Sequence, residues 1–180
     1  INWSEQRMIE IAPEGAGNMW APEATYDHTT GEYVVYWASN VNEEGHRIYY
    51  AKTRDFWTFT EPKIYIDRTD TNTFIDTSMI EYEGNYYRFT KNEQDLTVYL
   101  EKSDAVLGDF ELVKEKVGNQ GGVEGPGIFK FNGEEKWALL LDGYAGSNAG
   151  EGFFPLIAES PEDLATGNFR RLESTEYRMP

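Results

Sequence analysis

Asp76-Thr77-Ser78-Met79-Ile80-Glu81-Tyr82-Glu83-Gly84-Asn85-Tyr86-Tyr87-Arg88-Phe89 is the stretch whose reading decides the fold. A short strand opens on an acidic residue and runs to Tyr82. The turn Tyr82-Glu83-Gly84-Asn85 follows, with a glycine to supply the positive φ of a tight hairpin. The aromatic-rich strand Tyr86–Phe89 then returns. Farther along, Thr97-Val98-Tyr99-Leu100-Glu101-Lys102 reads as a third strand, and Phe110 closes the unit.

The same order recurs on both sides. Upstream it runs Trp20-Ala21-Pro22-Glu23-Ala24-Thr25-Tyr26, a turn at Asp27–Glu32 containing Gly31, Tyr33–Trp37, Arg47–Lys52 and Phe59. Downstream it runs Glu124-Gly125-Pro126-Gly127-Ile128-Phe129-Lys130, the turn Phe131–Glu134, Trp137–Leu141, Phe154–Glu159 and Phe169. With Trp3 as the closing aromatic of an earlier unit, the closing aromatics lie 56, 51 and 59 residues apart. Four short strands in a unit of this length make the blade of a β-propeller. The expectation is an all-β chain of about three blades plus the last strand of a preceding one. Residues 1–17 would be that tail, and 18–72, 73–120 and 121–180 the blades. A β-sandwich is the rival, but it does not require a recurring unit. Helical patterning is confined to Ser160-Pro161-Glu162-Asp163-Leu164-Ala165, which reads as one turn with proline at its first position.

Composition narrows the partners. The 180 residues carry a formal charge of −16, with 16 basic and 32 acidic side chains, and no basic cluster. Nucleic acid is therefore not an expected partner, because phosphates would be repelled. No apolar run approaches the roughly 18–20 residues of a membrane span, so no membrane contact is expected. Aromatic residues make up 15% of the chain, including 12 Tyr and 10 Phe, which suits half-buried strands and sugar-stacking surfaces. There is no cysteine, which excludes disulfides. The expected compartment is secreted or periplasmic. Both ends, Ile1-Asn2-Trp3 and Tyr177–Pro180, read as cuts within something longer. The missing blades or a second copy of the chain are accordingly expected partners.

Inner strands of a propeller begin at one mouth of the central channel. Setting Pro22, Ser78 and Pro126 level places Trp20, Asp76 and Glu124 at one position of successive blades. Paired carboxylates facing one cleft are what glycosidic cleavage needs, one of them protonated to serve the leaving oxygen. Gly121-Gly122-Val123 and Gly125-Pro126-Gly127 frame Glu124 so that backbone and substrate can approach closely. Other readings stay open. Asp76 can cap a turn through Thr77 and Ser78, and Glu124 can be a solvated residue of a glycine loop. Trp20 is a sugar-stacking residue or a core one. Phe74 and Arg88 are weaker ligand candidates; a mid-strand arginine usually faces solvent or pairs with a carboxylate such as Asp76. His28 and His46 lie in turns without a partner at metal-ligand spacing and read as surface residues. Asp67, Asp70 and Asn72 resemble a calcium loop only faintly.

Here the sequence resembles glycoside hydrolase family 43. Ile75-Asp76-Thr77-Ser78 and Val123-Glu124-Gly125-Pro126 look like two of its three signatures. Trp20-Ala21-Pro22-Glu23, Gly84-Asn85-Tyr86-Tyr87-Arg88-Phe89-Thr90-Lys91 and Leu141-Asp142-Gly143-Tyr144 resemble members acting on arabinose- and xylose-containing polysaccharides. The resemblance implies a five-bladed propeller that hydrolyses with inversion. Glu124 would then be the general acid and Asp76 the carboxylate that orients it and raises its pKa. The third carboxylate, the general base, would belong to a first blade that survives only around Trp3. A fragment without its base is expected to be inactive. The implied ligand is an oligosaccharide or polysaccharide with arabinofuranosyl or xylosyl linkages. No cofactor is expected beyond a structural calcium in the complete propeller. A non-catalytic sugar-binding propeller and a protein-interaction propeller are the alternatives.

Overall fold

The computed structural model describes residues 2, 4–68 and 73–178. Trp3, and Asp70 and Asn72 of the faint calcium-like loop, lie outside the described residues. The fold is three four-stranded antiparallel meanders. The first holds β1 (Trp20–Asp27), β2 (Glu32–Asn40), β3 (His46–Thr53) and β4 (Lys63–Ile66). The second holds β5 (Phe74–Tyr82), β6 (Asn85–Asn92), β7 (Thr97–Ser103) and β8 (Glu111–Lys114). The third holds β9 (Val123–Lys130), β10 (Trp137–Gly143), β11 (Gly152–Ala158) and β12 (Arg170–Arg171). Each sheet is ordered as its strands occur in the chain. That is the blade pattern expected from the repeat, and a two-sheet sandwich is not formed.

The sheets meet face to face through aromatic layers. Tyr36, Ile48, Phe74, Met79, Tyr99 and Val106 fill the space between the first and second. Phe89, Leu100, Trp137, Leu139, Leu141 and Phe169 fill that between the second and third. Strand β5 lies between β1 and β9, so its two faces are both covered. Residues 4–19 lie along the first sheet and form no strand among the described residues, only the bridge Ala16–Val41. The closing strand of an earlier unit was expected around Trp3, which lies outside the described residues. The segment's polar groups are taken up locally: Ser39 Oγ donates to the Asn18 carbonyl at 2.6 Å and Gly17 N–H to that of Asn40 at 2.9 Å.

The α-helical turn α1 (Pro161–Thr166) begins and ends as its sequence dictates; a 3-10 turn at Val117–Asn119 precedes β9. Ser160 Oγ accepts from Asp163 N–H at 3.2 Å, proline sits in the first turn, and Gly167 closes it at φ 69°.

A polar chain crosses all three inner strands. Ile128 N–H of β9 donates to Ser78 Oγ of β5 at 3.2 Å. The Ser78 hydroxyl in turn serves Glu23 of β1, whose Oε2 also accepts from the Tyr36 hydroxyl at 3.2 Å. Burial raises the Glu23 carboxyl above its usual range, and these donors pull it partly back.

Candidate active site

Each inner strand carries an irregularity of pairing near its start. The register slips between Trp20 and Glu23, between Ile75 and Thr77, and, on the β9 side, opposite Leu140–Asp142. At each slip one residue takes a left-handed backbone: Ala21 (φ 45°), Asp76 (φ 46°) and Gly125 (φ 54°). These are β-bulges, and bulges re-aim side chains next to functional sites. They also correct the expected register. Trp20, Ile75 and Glu124 are the structural equals, each just before its bulge, and Asp76 occupies the bulge itself. Aspartate tolerates this conformation better than most side-chain-bearing residues.

The bulge turns the Asp76 carboxylate toward the next blade. Its Oδ2 accepts a 3.1 Å hydrogen bond from Gly125 N–H, the bulge residue that follows Glu124. Asp76 and Glu124 thus come together at one mouth of the channel, as expected, but from unequal positions. Burial pushes the Asp76 carboxyl up; the Gly125 bond and the Lys91 ammonium oppose this. Glu124 is also raised, first by burial. Lys91 opposes, and the neighbouring carboxylates Asp76, Glu93 and Asp142 push it farther up. A carboxyl held above its normal range is what proton donation near neutral pH requires.

The surroundings include residues that the sequence reading passed over. Lys91, paired with Ile75 across β5 and β6, is fully buried, with its Nζ 3.0 Å from Glu93 Oε1 and 5.6 Å from the Tyr144 ring. Asp142 lies directly across β10 from Glu124. His46 is not a free surface residue. Its ring stacks on Trp20 with centroids 4.6 Å apart, burial lowers its pKa, and the Asp76 and Glu93 charges reach it. Strand direction carries the signal that could have found them: β3 starts, and β6 and β10 end, at the mouth where the inner strands begin. Trp20 is 49% exposed. With His46 it lines a cleft of about 620 Å³ together with Asn18, Asn40 and Asn42.

Phe74 and Arg88 do not belong to this mouth. Phe74 is 1% exposed and edge-on to Tyr99, so no ligand can touch it. Arg88 is 4% exposed and spends its guanidinium on Glu101, at 2.8 and 3.1 Å. It stacks over Phe110 at 3.8 Å, and Arg68 holds the other oxygen of Glu101. Its carboxylate partner is thus Glu101, its cross-strand neighbour, and not Asp76. Among the described residues, no three His, Cys, Asp or Glu side chains converge to hold a metal ion. Among the described residues no helix is long and apolar enough to cross a membrane.

Comparison with known proteins assigns the chain to a family and its fold to known neighbours. A family model described as "Probable glycosyl hydrolase domain" matches residues 1–180. An α-L-arabinofuranosidase of Bifidobacterium longum is 37% identical over 102 residues, covering 48% of this chain and 9% of that protein. An endo-1,4-β-xylanase from Bacteroides thetaiotaomicron superposes with a TM-score of 0.64 at 14% identity, over 94% of this chain and 62% of its own. A family-43 β-xylosidase/α-arabinofuranosidase from a compost metagenome, solved with xylotriose, gives 0.61 at 16% identity, over 89% and 59%. The chain therefore spans under a tenth of the curated relative and about six-tenths of these solved structures.

Proposed function

This chain belongs to the glycosyl hydrolase family whose model spans it, and from that premise we propose that it carries the acid half of an inverting glycosidase site. Glu124 donates its proton to the leaving glycosidic oxygen. Asp76 positions the Glu124 segment through Gly125, and its negative charge favours keeping the Glu124 proton on until it is needed. The observation that carries this reading is the 3.1 Å bond from Gly125 N–H to Asp76, which ties one carboxylate to the backbone of the other. The preferred substrates are arabinofuranosyl or xylosyl linkages. The arabinofuranosidase relative at 37% identity supports this choice, as do the exposed Trp20 ring and the Asn-rich cleft beside it, which Glu43 also lines.

Among the described residues this reading assigns no water-activating base and takes it from a further blade. Inversion needs carboxyls about 6.5–9.5 Å apart so that water fits between them and the sugar. Asp142 is the direct cross-strand neighbour of Glu124, and such neighbours are about 4.5–5.5 Å apart at Cβ. Glu93 is engaged by Lys91.

The test is hydrolysis of aryl arabinofuranosides and xylosides by this chain alone and by the chain extended with further blades. Alone it should turn over little or nothing. In the extended protein, Glu124→Gln should cost on the order of 10²–10⁴ in rate. Equal turnover by the two forms would defeat the external base, and an unaffected Glu124→Gln protein would defeat the acid.

A further inference from the structure

A buried cation stands among the carboxylates of the mouth, and core packing does not account for it. Lys91, near the end of β6, is fully buried. Its cross-strand neighbours are Ile75 on β5 and Val98 on β7, so an apolar side chain would fill the position without burying a charge. Lysine ordinarily lays its stem along apolar surface and keeps its ammonium in water. Here Nζ is itself buried, and among the described residues it makes no hydrogen bond of normal geometry. It forms an ion pair with Glu93 at 3.0 Å, but the Glu93 side chain is 40% exposed. A carboxylate so open to water compensates a buried charge weakly.

The fold places this ammonium to act across a blade boundary. Lys91 is rooted in the second sheet, opposite the residue that precedes the Asp76 bulge. Its Nζ lies 5.6 Å from the ring of Tyr144, in the segment that follows β10 of the third sheet, within reach of a cation–π contact. The charged groups that share its surroundings come from several strand ends. They are Asp76 of β5, Glu93 after β6 and Glu124 of β9, with Asp142 of β10 beside Glu124 and His46 of β3 near Asp76. Carboxylates gathered at one mouth do not all ionise without a counter-charge. The Lys91 ammonium acts against the burial that raises Asp76 and Glu124. Asp76 has the Gly125 N–H in addition, at 3.1 Å. The ammonium and that bond together favour the anion at Asp76, which leaves Glu124 as the carboxyl that holds a proton.

We propose that Lys91 is the positioning residue of the acid pair: its buried ammonium holds Asp76 charged beside Glu124, confines the pair to one transferable proton, and meets the negative charge that appears on Glu124 when that proton leaves. The proposal rests on reading Glu124 as the proton donor and adds to it what sets the charge of its neighbour. One proton passes from Glu124 to the glycosidic oxygen as the bond from that oxygen to the anomeric carbon breaks. Lys91 exchanges no proton in this step and touches no reacting atom.

The experiment is carbon NMR titration of the carboxyls in the 180-residue chain, for the wild type, Lys91→Met and Lys91→Arg. Methionine keeps an unbranched apolar stem without the charge. In Lys91→Met, Asp76 and Glu124 should both titrate about one pH unit higher, roughly a tenfold gain in proton affinity. Asp163, on α1 against β8 and β11, should stay where it is. Lys91→Arg should bring both carboxyls back toward the wild-type values. Unmoved Asp76 and Glu124 in a folded Lys91→Met protein would overturn the proposal. So would a shift that Asp163 shares, which marks general loosening, or a folded Lys91→Arg protein that titrates like Lys91→Met. The wild type alone gives a second readout should the variants not fold. Its Lys91 Nζ nitrogen resonance should move through the midpoints of Asp76 and Glu124, and a resonance blind to both would overturn the proposal. All of this is measured without substrate, so the glycosidic reading fails separately, through turnover that Glu124→Gln leaves intact.

Discussion

Asp76 accepts, through Oδ2, the backbone N–H of Gly125 at 3.1 Å, so the bulge of one blade is bonded to the bulge of the next. The acceptor and its charge can be separated by substitution. Asp76→Asn keeps an acceptor but removes the charge. Asp76→Ala leaves the Gly125 amide without its partner, which costs about 1–3 kcal/mol when the group is buried.

The pH dependence of Asp76→Asn follows from sign. Burial raises the folded carboxyl above 3.8. Its stabilising contribution is then present below pH 3.8 and is lost as pH rises through the folded value. At neutral pH the charged form is a burden that asparagine lacks. Asp76→Asn should therefore be at least as stable as wild type at pH 7, with the advantage shrinking toward pH 3.8. Denaturant unfolding between pH 3.5 and 7.5 checks this; an advantage that grows on acidification would contradict it.

Glu124→Gln should behave alike, because its carboxyl is also raised, above 4.5. Asp76 and Glu124 repel each other, so neutralising either relieves both. The stability gain of the double variant at pH 7 should fall short of the sum of the single gains. NMR titration gives a second readout: in Asp76→Asn the Glu124 carboxyl should titrate lower than in wild type.

Arg88 and Glu101 form a buried pair, and Glu101→Gln strands a guanidinium beneath Phe110. The expected loss is about 3–5 kcal/mol, or roughly 10 °C in Tm for a chain of this size. Arg88→Met should cost a similar amount. The double variant should recover part of either loss, since no unpaired charge remains except at Arg68. Sugar affinity per folded molecule should not change, which separates this pair from the mouth.

Trp20 and Phe74 should give opposite results. Phe74→Ala empties a fully buried site and should cost about 3–5 kcal/mol. Trp20→Ala should change stability by under about 0.5 kcal/mol, yet weaken oligosaccharide binding by about 0.5–1.5 kcal/mol, or roughly 2–13-fold. Fluorescence titration and thermal unfolding of each variant check both halves.

The blade architecture was legible because it is written redundantly. Alternating strands, glycine turns at Gly31, Gly84 and Gly133, and the aromatics Phe59, Phe110 and Phe169 all repeat in order. The α1 turn was legible from Ser160-Pro161. The bulges were not. Pro22, Ser78 and Pro126 look level in sequence, whereas the backbone aligns Pro22 with Thr77 and with Pro126. Aspartate at Asp76 gives no outward sign of its left-handed φ. Phe74 was misjudged because nearness to a site residue along a strand says nothing about which face a side chain takes. Arg88 faces its cross-strand neighbour Glu101, and counting back across the β6–β7 loop would have found that pair. His46 and Lys91 were overlooked because each was read within its own segment. Their nearness to Asp76 arises only when alternate strand ends are brought to one side.

The polar chain from Ile128 through Ser78 to Glu23 has a mechanical consequence. Aromatic layers between blades can slide by fractions of a residue with little loss, since dispersion contacts have no fixed length. Directed hydrogen bonds at the axis cannot. The three inner strands therefore behave as a pinned spindle, and motion between blades is pushed to the outer strands, far from the carboxylates. Replacing Ser78 by alanine would loosen the spindle where β1 meets β5, and would leave the Gly125–Asp76 bond as a directed tie between β5 and β9 that still sets the spacing of the two carboxylates.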